Sequence, residues 1–140
     1  EAARLLGVPA IVTEQYRKGL GATVAELASL LPAPLEKRTF SSCGAEGFAA
    51  AIPADVGQVV LCGLETHVCV SQTALDLLAG GYAVFVAIDA VSSRHAVDHD
   101  VALRRLETAG VVPTTSEAVL FEWCRTAAHP QFKAVQALVR

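Results

Sequence analysis

The most informative run of this sequence is Gln58-Val59-Val60-Leu61-Cys62-Gly63-Leu64-Glu65-Thr66-His67-Val68-Cys69-Val70. The residues before Gly63 are mostly apolar and β-branched, which is typical of a buried strand. Thr66 offers a hydroxyl where a helix can begin, and apolar residues then recur until Gly80-Gly81. The run therefore predicts a strand, a turn and a helix, with Cys69 in the first turn of the helix.

Cys69 would lie just beyond the carboxyl end of that strand, where an open α/β sheet places its ligand crevice. Free backbone N–H groups and the positive end of the helix dipole favour a thiolate there. The arrangement is analogous to the strand-turn-helix elbow of serine hydrolases, without the letters of that motif. The alternative interpretation is structural, because a free cysteine is usually a small, buried, inert side chain.

Strands alternate with helices along the rest of the chain. Residues 82–88 are apolar on both faces, as a central parallel strand should be, and residues 8–13 form another buried strand. Residues 96–109 have the apolar side of a helix, which Gly110 ends. The alternation predicts a single α/β domain over residues 1–140, a three-layer α/β/α fold with a mainly parallel sheet.

Composition limits the classes of partner. The chain has 140 residues, of which 53% are hydrophobic and 18% charged, and its net charge is -3. These values indicate a globular domain and argue against a nucleic-acid or anionic-membrane surface. No apolar run approaches the roughly 20 residues that span a bilayer. The four cysteines have no disulfide or zinc spacing, which favours a reducing, cytoplasmic compartment, and an upstream targeting segment, for example mitochondrial, stays compatible.

The first residues have the pattern of a helix already under way. Residues 1–6 carry no cap or start signal, and Gly7 ends them before Val8-Pro9 leads into a strand. A strand-helix-strand unit needs a strand before its helix. We therefore expect the chain to be N-terminally incomplete, with its first strand missing.

Residues 63–70 resemble the nucleophile signature of the isochorismatase-like cysteine hydrolases, a superfamily that includes nicotinamidases and N-carbamoylsarcosine amidohydrolases. The similarity is closer to the isochorismatase-domain-containing branch. Three further segments carry it: Val12-Thr13-Glu14-Gln15-Tyr16 with Gly19-Leu20-Gly21, Asp89-Ala90-Val91-Ser92-Ser93-Arg94, and Thr114-Thr115-Ser116-Glu117. The resemblance implies a Rossmann-like hydrolase fold of six strands, whose central first strand ends in a catalytic Asp. That Asp would precede this chain.

The resemblance also assigns roles. Cys69 would attack a carbonyl carbon and form a thioester, and the upstream Asp would act as general acid and base. Lys37 would stabilise the thiolate and the developing negative charge. Without the resemblance, a lone lysine is most simply a solvated charge. Arg38, its neighbour on an extended segment, should point the other way.

The resemblance implies an oxyanion hole at the turn before Cys69. Its donors would be the backbone N–H groups of Glu65 and Cys69. A non-proline cis peptide of these hydrolases falls, by position, at Leu64–Glu65. Candidate walls of the substrate pocket are Tyr16, Phe40 and Gln15.

Histidines and acidic residues give weaker signals. His67 is two residues from Cys69, so its side chain should diverge from the thiol on a helix. His95 and His99 have the spacing of metal ligands, but a third ligand is absent, which favours a solvated face. Metal-binding nicotinamidases carry an Asp/His cluster where residues 14–19 contain no His, so no metal is expected. Asp89 is most simply a structural residue that bonds the Ser92-Ser93 loop.

These observations predict a metal-independent cysteine hydrolase without cofactor, which cleaves a small amide or related carbonyl compound through a Cys69 thioester. The alternative is a binding or scaffold module with little turnover, favoured if the Asp is truly absent. Redox sensing at Cys69 would need a resolving thiol, and Cys62 should face the core. The family commonly forms homo-oligomers. Phe132, Val135 and Leu138 would serve such an interface or, more simply, pack on the chain's own sheet.

Overall fold

The computed structural model describes residues 1–139. The strands are β1 (Thr13–Gln15), β2 (Leu35–Lys37), β3 (Gln58–Leu64), β4 (Ala83–Ser92) and β5 (Val112–Thr114). The helices are α1 (Ala2–Leu6), α2 (Arg17–Leu20), α3 (Ala25–Ala28), α4 (Phe48–Ala51), α5 (Ser71–Ala79), α6 (Ala96–Ala109), α7 (Ser116–Cys124) and α8 (Phe132–Ala137).

Every strand pairing is parallel, and the predicted α/β class is confirmed. The strands form two ladders, β1-β2 and β3-β4-β5. Within residues 1–139, no strand joins the two ladders by hydrogen bonds. The first strand lies later than predicted, because β1 is Thr13–Gln15 and shares only Thr13 with residues 8–13, where Pro9 has no N–H to donate.

The core lies between β4 and the helices that cover it. Val84 and Val86 of β4 are each 1% exposed, and Leu106 of α6 is 2% exposed. Ala74 and Leu77 bring α5 onto the same cluster. The helices form two groups, α5 with α6 and α1 with α7 and α8, and each group has a helix on β4. This is the predicted three-layer arrangement.

Helix ends follow local signals closely. Gly7 and Gly110 end α1 and α6 in the left-handed conformation, with φ of 68° and 103°. The hydroxyl of Thr115 accepts a bond from the Ala118 N–H at 3.3 Å and so caps α7. α6 has the predicted bounds.

The turn before α5 differs from the prediction. Residues Thr66–Val70 form a π-helical turn, in which the Val70 N–H bonds the Glu65 carbonyl five residues back. Thr66 does not cap the helix. Its side chain is fully buried and its hydroxyl contacts His99 of α6, so a tertiary partner replaces the local one.

The terminal helix packs within the chain. Val135 of α8 is fully buried, and the Phe132 ring lies 6.4 Å from the Phe121 ring of α7. The terminal helix therefore packs on another helix of the same chain, α7, and not on the sheet as predicted. In the part of the chain that the structure describes, no helix is long and apolar enough to cross a membrane.

Candidate active site

The register of β1 and β2 places two site residues side by side. Gln15 pairs with Lys37 in the parallel ladder, so both side chains leave the same face of neighbouring strands. That face points to the π-helical turn that carries Cys69. The structure thereby brings together three residues that are far apart in sequence.

Lys37 is buried, with 5% exposure. Its Nζ donates to Gln15 Oε1 at 2.6 Å, to the Phe40 carbonyl at 2.7 Å and to the Thr39 carbonyl at 3.1 Å. The same Nζ lies 3.6 Å from Cys69 Sγ. A solvated lysine is therefore excluded, and the ammonium is held by neutral oxygens next to the thiol.

Cys69 is half-buried, and its turn is tied to β1 by a chain of hydroxyl bonds. The Cys69 carbonyl accepts from Thr73 Oγ1 at 2.7 Å, and Thr73 Oγ1 accepts from the Ser42 N–H at 2.9 Å. Ser42 Oγ in turn lies 3.1 Å from Thr13 Oγ1. These bonds fix the position of the Cys69 backbone relative to the strand that carries Gln15.

Glu65 is held by the connection between β4 and α6. Its Oε1 accepts from the Arg94 Nε at 2.8 Å and from the Arg94 N–H at 3.2 Å. Desolvation of Glu65 acts to raise its pKa, but the bonds and the charge of Arg94, with a smaller contribution from His67, leave that pKa below its ordinary value. The Glu65 side chain is thus a carboxylate bound to Arg94. The oxyanion-hole role predicted for Glu65 concerns only its backbone N–H.

The next two residues of the turn are also tied to this segment. Thr66 Oγ1 lies 3.0 Å from His99 Nδ1, and His67 Nδ1 lies 3.0 Å from Ser93 Oγ. His67 Nε2 is 4.0 Å from Asp98 Oδ2. The predicted solvated face is therefore wrong for His99, because α6 packs its first turn on the turn of the thiol. The His67 ring makes its bond to Ser93.

The peptide bond between Leu64 and Glu65 is cis, at the position that the resemblance implies. The Leu64 side chain is 69% exposed. The use of the Glu65 and Cys69 N–H groups as an oxyanion hole stays a prediction.

The three predicted pocket residues lie around Lys37 with different exposure. Gln15 touches Lys37, whereas Phe40 contributes its carbonyl and is itself 54% exposed. Tyr16 has a φ of 41°, and the Arg38 guanidinium lies 5.4 Å from its ring centroid. Contact of these side chains with a substrate stays a prediction.

Two other predictions need correction. Asp89 accepts bonds from the N–H of Ser116 at 2.8 Å and from the Ser116 hydroxyl, not from the Ser92-Ser93 loop, because β4 runs on to Ser92 and Asp89 lies just beyond the β4-β5 pairing, opposite the start of α7. Cys62 is exposed instead of facing the core, since β3 is an edge strand. Within residues 1–139, no group of three His, Cys, Asp or Glu side chains has the arrangement of a metal site.

Sequence reasoning missed the contact between Gln15 and Lys37 and the bonds of Thr73 and Arg94. Strand alternation gives the face of each strand but not its partner or register, so it could not predict the first contact. No local signal points to Thr73 or Arg94, whose partners come from other elements.

Solved structures of similar chains have the same fold. A structure described as MAR1 ribonuclease from Caenorhabditis elegans is 45% identical, with a TM-score of 0.91, and the match covers 99% of this chain and 72% of that one. The YcaC gene product of Escherichia coli, described as an octameric hydrolase of unknown specificity, is 26% identical, with a TM-score of 0.87. That match covers 99% of this chain and 69% of YcaC.

Proteins of similar sequence point to one family. The chain is 46% identical over its whole length to isochorismatase domain-containing protein 2 of Bos taurus and spans 69% of it. It is 44% identical to isochorismatase domain-containing protein 1 of Danio rerio, of which it spans 50%. The family model described as Isochorismatase domain matches residues 1–118. This chain, with its isochorismatase-like hydrolase fold, therefore belongs to the isochorismatase family.

Proposed function

We propose that this protein is a metal-independent cysteine hydrolase that cleaves a small amide or a related carbonyl compound. One observation carries the proposal: the buried Lys37 Nζ lies 3.6 Å from Cys69 Sγ. Membership of a family of hydrolases supports it.

The charge of Lys37 is available to the sulfur. Its three hydrogen-bond acceptors are neutral oxygens, and the ion pairs within residues 1–139 are formed by other groups. A cation beside a thiol favours the thiolate, which is the nucleophilic form. Lys37 would therefore activate Cys69 and stabilise negative charge that develops on the substrate.

The proposed reaction has two steps. The Cys69 sulfur forms a bond to the carbonyl carbon, the carbonyl oxygen becomes an oxyanion, and the oxyanion collapses as the C–N bond breaks. The amine leaves with the proton of the thiol. Water then adds to the thioester and releases a carboxylic acid and the thiol, so that one amide and one water give one acid and one amine.

Two parts of this mechanism come from the family resemblance. The N–H groups of Glu65 and Cys69 would bind the oxyanion, and an Asp would carry the proton from thiol to amine. Neither assignment changes the role proposed for Cys69 and Lys37.

A screen of small primary amides, read out as ammonia release, tests the proposal. We expect Cys69→Ser to lower turnover by about 10³-fold or more, because the covalent step is lost. Lys37→Met should lower it by about 10- to 100-fold, because the charge is removed while the length is kept.

Cys43→Ser and Lys133→Met are the matched controls. Cys43 lies outside the contacts of Lys37, and Lys133 is exposed on α8, so both variants should keep wild-type turnover. Full activity in Cys69→Ser would eliminate the covalent mechanism.

Ribonuclease activity is a second candidate, because a 45% identical structure bears that description. The net charge of -3 argues against it, since RNA binding draws on positive charge. End-labelled RNA incubated with the wild type and with Cys69→Ser separates the two. Cleavage that depends on Cys69, without amide turnover, would favour the ribonuclease.

A binding or scaffold module with little turnover is a third candidate. It is favoured by the absence, within residues 1–139, of a carboxylate in an ion pair with Lys37. Under this hypothesis the wild type and Cys69→Ser would bind the same small molecules by calorimetry, and neither would turn them over.

A further inference from the structure

The geometry points to Gln15 as a positioning residue, which holds Lys37 against Cys69 without neutralising its charge. This inference rests on the function proposed above. Gln15 Oε1 accepts from Lys37 Nζ at 2.6 Å, the shortest of the contacts that this ammonium makes, and lies 4.0 Å from Cys69 Sγ. Gln15 Oε1, Lys37 Nζ and Cys69 Sγ thus form a compact triangle, with the oxygen beside both reactive groups.

The orientation of the Gln15 amide is determined by its partners. Nε2 donates to the Arg38 carbonyl at 2.9 Å, and Oε1 accepts from the ammonium. A flipped amide would place an NH₂ group against the Lys37 ammonium and an oxygen against a carbonyl oxygen, so both bonds would be lost. The Arg38 carbonyl therefore aims the amide oxygen at Lys37.

Gln15 also limits the mobility of the lysine. A lysine side chain has four flexible methylene groups, and its ammonium adopts many positions unless several acceptors hold it. The other two acceptors, the carbonyls of Thr39 and Phe40, belong to a single loop. Gln15 adds an acceptor from a separate strand, in ladder register with Lys37. The ammonium is consequently held from two directions.

The neutrality of Gln15 matters as much as its oxygen. A glutamate of nearly the same shape would keep the short contact but form an ion pair with Lys37. It would also put a negative charge about 4 Å from the sulfur, and a like charge at that distance disfavours the thiolate. We expect Gln15→Glu to slow the reaction of Cys69 more than a neutral variant does.

The test is the alkylation rate of each cysteine by iodoacetamide between pH 6 and 9, resolved by mass spectrometry of peptides. It compares the wild type with Gln15→Glu, Gln15→Met and the control Gln58→Glu, which makes the same change at the exposed start of β3. Cys43 is the internal reference, because burial raises the pKa of its thiol. Ammonia release from any active amide supplies kcat and KM as a second readout.

Gln15→Glu should slow Cys69 alkylation about 10-fold at neutral pH and move its pH dependence to higher pH. Gln15→Met should slow Cys69 alkylation about threefold and move its pH dependence less than Gln15→Glu does. Gln58→Glu should change neither the rate nor the pH dependence. Equal losses in both Gln15 variants, with the wild-type pH dependence, would indicate a merely structural role and overturn the inference. If circular dichroism shows that Gln15→Glu is unfolded, Gln15→Met decides: a wild-type rate for Cys69 in that variant overturns the inference.

The outcomes separate this inference from the proposed function. A fast Cys69 that is indifferent to every change at Gln15 would overturn the inference and leave the hydrolase intact. A wild-type Cys69 that reacts no faster than Cys43 would overturn both.

Discussion

Lys37 owes its burial to the loop that follows β2. The carbonyls of Thr39 and Phe40 turn back to its Nζ, and Thr39 Oγ1 donates to the Ser41 carbonyl at 2.8 Å. A buried ammonium without such acceptors would carry a large desolvation cost. The loop therefore makes it possible for a full positive charge to lie beside the thiol.

Gly19 shows how close packing constrains a single residue near this site. A Cβ at Gly19 would lie 2.4 Å from Cε1 of the Tyr16 ring. We expect Gly19→Ala to lower the free energy of unfolding by about 0.5–1 kcal/mol, because displacing the partly exposed Tyr16 ring outweighs the helix propensity that Ala gains in α2. Urea denaturation measures the loss.

Two variants check this explanation. Gly57→Ala, where nothing lies within 4 Å of the added Cβ, should be close to neutral. In a Tyr16→Ala background, the cost of Gly19→Ala should shrink, because the obstructing ring is gone. A cost that persists there would trace the effect to the backbone.

At the residue scale, Asp89 also makes a pH-dependent contribution to the free energy of unfolding. Hydrogen bonds from the side chain and the N–H of Ser116 hold the pKa of Asp89 below its ordinary value. The folded state thus favours the carboxylate, so the stabilisation is present above about pH 4, the range of an unfolded Asp, and is lost as the pH falls through the lowered pKa.

Asp89→Ala should therefore lower the free energy of unfolding by about 0.5–1 kcal/mol at pH 7, an estimate for exposed hydrogen bonds. The difference from the wild type should shrink at pH 3. Urea titrations at both pH values measure it, with the exposed Asp55→Ala as the matched control. An equal loss at pH 3 and pH 7 would show that the carboxylate charge has no part in it.

At the scale of elements, hydrogen bonds join the turn of Cys69 to α6 and to the residues just before it. Glu65, Thr66 and His67 each bond a residue of the 93–99 segment. His99 belongs to α6, whereas Ser93 and Arg94 precede it, so a shift of α6 would act on the turn through Thr66. We infer that α6 contributes to the placement of Cys69 although it carries no predicted catalytic residue.

Thr66→Val tests this link. The substitution keeps the shape of a fully buried side chain but removes the hydroxyl that contacts His99 at 3.0 Å. We expect a loss of about 1–2 kcal/mol in the free energy of unfolding. Cys69 alkylation should also slow, because the turn loses the hydrogen bond that ties it to α6.

Thr108→Val is the matched control. Thr108 is exposed, and its hydroxyl bonds the Arg104 carbonyl within α6. It should change stability by less than about 0.5 kcal/mol and leave Cys69 unaffected. A Thr66→Val protein with wild-type stability and thiol reactivity would contradict the coupling of α6 to the turn.

At the scale of the whole molecule, we propose a homo-oligomer, in line with a relative that is described as octameric. The described chain leaves large apolar side chains exposed, among them Leu20, Val24 and Leu27. Light scattering coupled to size-exclusion chromatography should give a mass that is a multiple of 14.6 kDa. A monomer at micromolar concentration would contradict the proposal.

Local patterns predict those parts of the fold that local physics determines. The bounds of α6 follow from its apolar periodicity and from Gly110, and the α/β class follows from the alternation of elements. The same patterns fail where a distant partner intervenes. Thr66 has the chemistry of a cap, yet His99 takes its hydroxyl.

The candidate site also has a part that the sequence predicts and a part that depends on distant pairing. Position at the end of a strand singled out Cys69, and family resemblance singled out Lys37. Gln15 was named only as a pocket wall, because its contact with Lys37 depends on which strands pair and in which register. Sequence periodicity gives the face of a strand but not its neighbour.

The surroundings of the Cys69 sulfur are assembled across long stretches of chain. Gln15 is 54 positions away and Lys37 is 32 positions away. Such distant contacts form only after long loops have closed, which makes them late events in folding. Under the proposed function, a newly made or partly unfolded chain would lack the Lys37 ammonium beside Cys69, and the thiol would be activated only when both ladders are in place. Thiol activation is then a property of the folded chain and not of the unfolded one.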